Sequence, residues 1–261
     1  MSNSNWDDLK PRVMSGIVMA VVGAGAVWAG GLWFLALVAI SCGLMMWELV
    51  RMVAPDQSGI PVRLGGLACL AIILSAVLPA FYAAPLLVAP VVVGLGMVKS
   101  NRALFGPYAA LVLLAGYGFV QLRQDLGLIW MLWMLLVVIA SDMGGYVAGR
   151  MLGGPKFWPA VSPKKTWSGT VVGWVGAALI GLYFSSAYNL WNGLPLASVF
   201  VAFAAQMGDI AESAIKRKTG IKDSSNLIPG HGGFMDRFDG MLGASVVVVF
   251  LVVLGFLPVA G

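Results

Sequence analysis

Residues 126–148 read LGLIWMLWMLLVVIASDMGGYVA, and from Leu126 to Ala140 no charged or strongly polar side chain interrupts them. A membrane-spanning β-strand needs only about ten residues and alternates apolar with polar positions, whereas a spanning helix needs about 20 residues that are apolar all round. This run is continuous rather than alternating, so it predicts a transmembrane helix. Runs of the same kind recur from Val13 to the C-terminus. Hydrophobic residues make up 60% of the 261 and charged residues 10%, and together these features predict an all-α, polytopic integral membrane protein.

About nine transmembrane helices can be drawn: Val13–Ala29, Leu32–Val50, Leu64–Tyr82, Pro85–Val98, Ala103–Leu122, Leu126–Ala148, Trp167–Tyr188, Leu196–Ala211 and Met241–Leu257. The fourth is short for a full crossing, and a re-entrant segment is its alternative. With the N-terminus in the cytoplasm, 15 of the 16 basic residues fall on the inner side, leaving only Arg123 outside. The positive-inside rule favours that orientation and a crossing fourth span. An odd number of spans then puts the C-terminus outside. The N-terminal MSNSNWDDLKPR is too polar and acidic for a cleaved signal, so the first apolar run is expected to stay as a span. Cys42 and Cys69 lie inside spans and read as packing residues. The expected location is the inner (plasma) membrane.

Two inner connections are long and polar: Gly149–Thr166 (GRMLGGPKFWPAVSPKKT) and Ser213–Asp239 (SAIKRKTGIKDSSNLIPGHGGFMDRFD). Basic residues in such loops serve topology and attract anionic lipid, which accounts for Arg51, Arg63, Lys99 and Arg102. Carboxylates do neither, and each costs about 2.5 to 3.5 kcal/mol inside a spanning helix. Asp142 and Asp209 sit at the ends of apolar runs, so they are candidate functional residues. From Asp209, Glu212, Ser213 and Lys216 follow at i+3, i+4 and i+7, one helical stripe that must face protein or water. From Asp142, the glycines at 144, 145 and 149 allow either a ligand or another helix to come close.

The chemistry these residues suit is that of polyphosphates. Lys164 and Lys165, with Ser162 and Thr166, offer ammonium and hydroxyl donors to phosphate oxygens. Asp209, Asp236 and Asp239 offer hard oxygen ligands to a divalent cation such as Mg²⁺. Gly153–Thr166 lacks the Walker spacing of glycine directly before lysine, and the single histidine, His231, argues against a zinc site.

Ser213, Lys216-Arg217, Lys222-Asp223, Ser225, Ile228-Pro229, His231-Gly-Gly233 and Asp236-Arg237-Phe238-Asp239 resemble, position by position, the signature of the phosphatidate cytidylyltransferase (CDP-diacylglycerol synthase) family. The resemblance extends to Ser141-Asp142 with Gly144, Tyr146 and Gly149-Arg150, to Ser162-Pro-Lys-Lys-Thr-Trp167, and to Gly208-Asp209 with Glu212. It covers the chain from about residue 140. Ser168 departs from it, because the family usually has Glu there.

The resemblance implies that CTP and phosphatidate give CDP-diacylglycerol and pyrophosphate at the inner membrane surface with Mg²⁺, a second metal ion being left open. It makes Asp209 and Asp236 the metal ligands. It implies catalytic roles for Asp209, Asp236, Lys216, Lys222, His231 and Arg237, and substrate contacts for Asp142, Ser162, Lys164, Lys165, Ser213, Arg217, Asp223 and Asp239. The implied partners are CTP, phosphatidate, membrane lipid and a second copy in a homodimer, with no nucleic acid. Residues 126–261 would carry the catalytic loops and residues 1–125 a helical scaffold that shapes a lipid cavity or supports the catalytic helices, all in one membrane domain. A CTP-dependent lipid kinase, a transporter and an inactive scaffold are the rival readings. Products distinguish the first, and the bare outer halves of the spans oppose the second.

Overall fold

The computed structural model describes residues 9–257, with side chains from residue 11. Residues 1–8, where most of the N-terminal signal reading falls, and the C-terminal tail lie outside the described residues, as does the side chain of Lys10. Nine α-helices account for nearly all of the described chain: α1 Leu9–Ala29, α2 Gly31–Val53, α3 Ile60–Val77, α4 Ala83–Met97, α5 Arg102–Gln121, α6 Leu128–Met151, α7 Trp167–Ala187, α8 Leu194–Thr219 and α9 Met235–Val253. Each expected span is a helix. Eight of the helical segments are long and apolar enough to cross a membrane. The ninth, α9, opens on Asp236, Arg237 and Asp239 and becomes continuously apolar only from Met241. Large apolar side chains such as Val21, Trp28, Phe81 and Val92 point outward, as a lipid-facing surface requires.

The short fourth span is completed by a 3₁₀ turn, Ala80–Tyr82, which leads directly into α4 and makes an 18-residue candidate span, Ala80–Met97. Both long connections are shorter than their polarity suggested. α8 continues through the Lys216-Arg217 region to Thr219, and α9 starts at Met235, leaving only residues 220–234 as loop. Lysine and arginine are good helix formers, so a basic segment following an apolar helix extends it until Gly220 ends it. The other connection forms the only strands among the described residues, β1 Lys156–Trp158 and β2 Ser162–Thr166, an antiparallel hairpin.

The chain divides into two compact units. The first runs from the start of the described chain to Val120 and includes Lys218–Phe238; the second comprises Gln121–Arg217 and the chain from Asp239 onward. In the first unit α2 lies along α3 and α3 along α4. Two connections share one end of it. Gln57 donates to the Met97 carbonyl at 3.0 Å and accepts from Lys99 N–H at 2.8 Å, while Ser100 and Asn101 donate to the Val53 carbonyl at 2.7 and 3.1 Å. The link between α2 and α3 and that between α4 and α5 thus lie together, so α3 and α4 form an out-and-back pair.

In the second unit α6 and α7 pack along each other. A Cβ at Gly169 would run into the Gly145 carbonyl, and one at Gly173 would press on the Ser141 carbonyl. The close approach of the two helices thus depends most on the glycines of α7, while a Cβ on Gly144 or Gly145 would make ordinary contacts. α8 and α9 also meet backbone to backbone: a Cβ on Gly208 would strike the carbonyl of Asp239, and one on Gly243 that of Ala204.

Candidate active site

In the second unit the hairpin aims one lysine. Gly153 and Gly154, at φ 61° and 103°, end α6 and turn the chain into β1. Lys156 pairs with Thr166 and Trp158 with Ser162. Thr166 then caps α7 by accepting from the Gly169 N–H at 3.3 Å, and the Ser168 hydroxyl donates to the Gly153 carbonyl across the base of the hairpin. The residue that departs from the family pattern thus closes this turn. Successive strand residues point to opposite faces, so Lys164 projects to solvent while Lys165 turns inward. Its Nζ lies 2.5 Å from Asp209 Oδ2 and 3.3 Å from the Gln206 carbonyl.

The stripe on α8 is as the spacing requires. Ser213 Oγ lies 3.5 Å from Asp209 Oδ1, and Lys216 Nζ 2.7 Å from Glu212 Oε2. One turn earlier, buried Gln206 donates to Ser141 Oγ at 3.2 Å and accepts from Trp174 Nε1 at 3.1 Å, which fixes the rotation of α8 against α6 and α7. Close packing at Gly208 and Gly243 brings Asp239 alongside. Carboxylate oxygens of Asp209, Glu212 and Asp239 all lie within 4.8 Å of one another. Glu212 is fully buried.

Three carboxylates this close repel one another unless cations sit among them. Lys165 and Lys216 supply two positive charges for three negative ones. A hard divalent cation with oxygen preference fits the remaining need, so the donor set suits a metal ion. Asp209, from the pair expected to bind metal, belongs to this cluster, while Glu212 and Asp239 complete it. Asp142 is exposed on α6. Ser162 is half-buried at the start of β2, and Arg217 is exposed.

In the first unit, loop 220–234 is tied down by two carboxylates. Asp236 Oδ2 accepts from Ser224 N–H at 2.9 Å, Ser224 Oγ at 3.1 Å and Gly233 N–H at 2.8 Å. Glu48, on α2, accepts from Ser225 Oγ at 2.5 Å, Phe234 N–H at 2.7 Å and Met235 N–H at 2.6 Å. These amides begin α9 and have no partner within the helix, and the helix N-terminus favours negative charge. Gly233 is required here, because a Cβ would overlap Ser224 Oγ and crowd Glu48 Oε1.

His231 meets Ser15 of α1, with Nδ1 and Oγ 2.8 Å apart. Arg237 donates from Nε and Nη2 to the His231 carbonyl at 3.1 and 2.7 Å. Lys222 and Asp223 are exposed. Asp223 lines a cavity of about 450 Å³ together with Trp47, Arg51, Ser225 and Asn226.

Sequence reasoning missed Glu48. The signal was present: a carboxylate inside a span is costly without a partner, the same rule that singles out Asp142 and Asp209. Glu212 stands on the predicted stripe, but its membership of the acidic cluster emerges only from the packing of α9 against α8.

Helices long and apolar enough to cross a membrane, with a cluster of carboxylates and lysines at the contact of α8 and α9, define an integral membrane protein with a site suited to a metal ion. The model of the cytidylyltransferase family matches residues 10–255, and the chain belongs to that family. It is 34% identical over 255 residues to a protein of Brucella suis named phosphatidate cytidylyltransferase, covering 92% of each chain. A protein of the same name from Bacillus subtilis is 30% identical over 269 residues, covering 95% of this chain and 98% of that one. One from Mycobacterium tuberculosis is 40% identical over 149 residues, 56% of this chain and 44% of its own.

Proposed function

We propose that this protein is a phosphatidate cytidylyltransferase, a nucleotidyltransferase that joins CTP and phosphatidate into CDP-diacylglycerol and releases pyrophosphate. The observation that carries the reading is the clustering of Asp209, Glu212 and Asp239 within 4.8 Å beside Lys165 and Lys216, in a member of the cytidylyltransferase family.

A phosphatidate oxygen attacks the α-phosphorus of CTP in line. The new P–O bond forms as the bond to the bridging oxygen of the β-phosphate breaks, and pyrophosphate carries away that electron pair. The nucleophile is already an anion near neutral pH, so no strong general base is needed. The main barrier is repulsion between two polyanions, and fixed positive charge lowers it. Asp209, Glu212 and Asp239 would hold Mg²⁺. Asp236 stays in the proposed ligand set as the residue three before Asp239 on α9. When bound, the metal would neutralise phosphate oxygens and help fix the triphosphate for in-line displacement.

Lys165 and Lys216, each now paired with a carboxylate, are preoriented to exchange part of that pairing for substrate phosphate. Lys164, Arg217, Lys222 and Arg237 add positive charge for the triphosphate and the lipid phosphate; Ser162, Ser213, Asp142, Asp223 and His231 are proposed substrate contacts. The acyl chains remain in lipid while the head group reaches the polar helix ends. The cytoplasmic placement of these ends, an outside C-terminus and a homodimer belong to the same proposal. They rest on the distribution of basic residues and on the family resemblance.

The test uses purified protein in detergent micelles with phosphatidate, CTP and Mg²⁺. CDP-diacylglycerol and pyrophosphate should appear in equal amounts and vanish without the metal. CDP released with a phosphorylated lipid alcohol would instead make the protein a lipid kinase.

A further inference from the structure

Among the described residues Glu48 is the most deeply buried carboxylate of the first unit, with none of its surface exposed. It sits near the end of a 23-residue helix whose other 22 residues include one further charge, Arg51. No lysine or arginine pairs with it among the hydrogen bonds and ion pairs of the described residues. Three donors from the loop neutralise it instead: the Ser225 hydroxyl and the Phe234 and Met235 amides, all between 2.5 and 2.7 Å. Bonds of this length between an ionised acceptor and N–H or O–H donors are the strong, charge-assisted kind. One side chain thus grips the loop at two places, at Ser225 and again at the start of α9.

The residues between those two grips include His231 and the glycine turn, and just beyond the second come Asp236 and Arg237. Asp236 in turn ties Ser224 to Gly233. The two carboxylates form adjoining clasps, one from α2 and one from the loop's own helix. Asp236 can hold the loop only in shape; Glu48 also fixes it to the helical scaffold. The cavity wall formed by Asp223, Ser225 and Asn226 faces Trp47 and Arg51, the neighbours of Glu48 on α2.

We propose that Glu48 is a positioning residue for the cytidylyl transfer: it sets the place of loop 220–234 and of the first turn of α9, and so of His231, Asp236 and Arg237, without touching substrate. The inference rests on the functional reading above. A carboxylate is required because only an acceptor at both oxygens serves all three donors. In a Glu48→Gln variant the amide nitrogen must face a donor on one side. Oε1 accepts from Ser225 Oγ and the Phe234 N–H and Oε2 from the Met235 N–H, so in either orientation the amide nitrogen faces a backbone N–H; with the nitrogen toward Met235 the variant keeps the Ser225 and Phe234 bonds and loses the third.

The experiment compares wild type with Glu48→Gln, Glu48→Ala and Ser225→Ala in detergent. It measures backbone hydrogen exchange of peptides spanning 222–238, thermal stability, and kcat and KM for both substrates. Exchange in 222–238 should rise about tenfold or more in Glu48→Gln and further in Glu48→Ala, while peptides of α3 and α4 stay unchanged. The kcat per folded molecule should fall in the same order, by about tenfold for Gln and about a hundredfold for Ala. Ser225→Ala should lie between wild type and Glu48→Gln.

If Glu48→Ala fails to fold, Glu48→Gln carries the comparison. The proposal is overturned if Glu48→Gln matches wild type in kcat and loop exchange. It is overturned equally if activity falls only with the folded fraction, or falls while loop exchange is unchanged. The exchange measurement needs no substrate. A wild type that fails to form CDP-diacylglycerol would defeat the functional reading while leaving the grip of Glu48 on the loop separately measured.

Discussion

Lys165 on the hairpin and Asp209 on α8 form an ion pair with Nζ and Oδ2 2.5 Å apart, in a setting where the lysine side chain is 22% exposed and the aspartate 38%. The pair joins the lysine pair of the hairpin to the acidic cluster. Partial exposure keeps its contribution to stability small, which leaves catalysis as the property most sensitive to it. Lys165→Ala should lower kcat/KM for CTP by about 10² to 10³ while changing the melting temperature little. Lys164→Ala, on the solvent face of the same strand, should cost about tenfold or less. Steady-state kinetics of the two variants side by side check this.

Removing members of the acidic cluster should act through the metal. Asp209→Asn, Glu212→Gln and Asp239→Asn should each raise the Mg²⁺ concentration for half-maximal activity, and chelation of the metal should abolish turnover. Binding of Mn²⁺ followed by paramagnetic resonance gives a second readout, with weaker binding expected in all three variants. Glu212→Gln also removes the charge from the 2.7 Å pair with Lys216. Breaking a buried pair costs about 3 to 5 kcal/mol, so this variant should lose thermal stability more than Asp209→Asn does.

Close backbone contact between α8 and α9 predicts steric sensitivity at Gly243. Gly243→Val would push its side chain into the Ala204 carbonyl and should destabilise by about 1 to 3 kcal/mol or more. Because the same contact brings Asp239 to Asp209 and Glu212, activity should fall further than stability. Gly25, where an added Cβ would meet nothing within 4 Å, supplies the control: Gly25→Val should be nearly silent in a thermal-shift assay.

The orientation can be tested with a thiol reagent that does not cross membranes. In a background with both cysteines replaced, Gln124→Cys should be labelled in intact cells, and Lys218→Cys only after the membrane is opened. Both positions are exposed in the structure. The reverse pattern would place the polar loops outside and remove access to CTP.

The spans could be read because uniform apolarity over about 20 residues has one structural solution in lipid. The stripe on α8 was legible for a related reason, since helical spacing alone decides which side chains share a face. The hairpin was not. Its strands are three and five residues long, and a polar glycine-containing stretch of that length looks the same as irregular loop until its register is known. The extent of loop 220–234 was also hidden, because a charge-rich sequence reads as connection while its lysines and arginine in fact continue α8. The role of Glu48 depended on donors some 180 residues away, and no local pattern in α2 points to them.

That separation has a consequence for how the protein is made. Ser225 follows Glu48 by 177 residues, and at about 5 to 20 residues per second the ribosome takes roughly 10 to 35 s to supply it. Throughout that interval α2 must hold its place in the bilayer with its carboxylate turned to water or lipid head groups. Its high mean hydropathy of 1.9 lets it do so. A segment synthesised late therefore completes an early helix, and a chain arrested before residue 225 would carry Glu48 without any of its three donors.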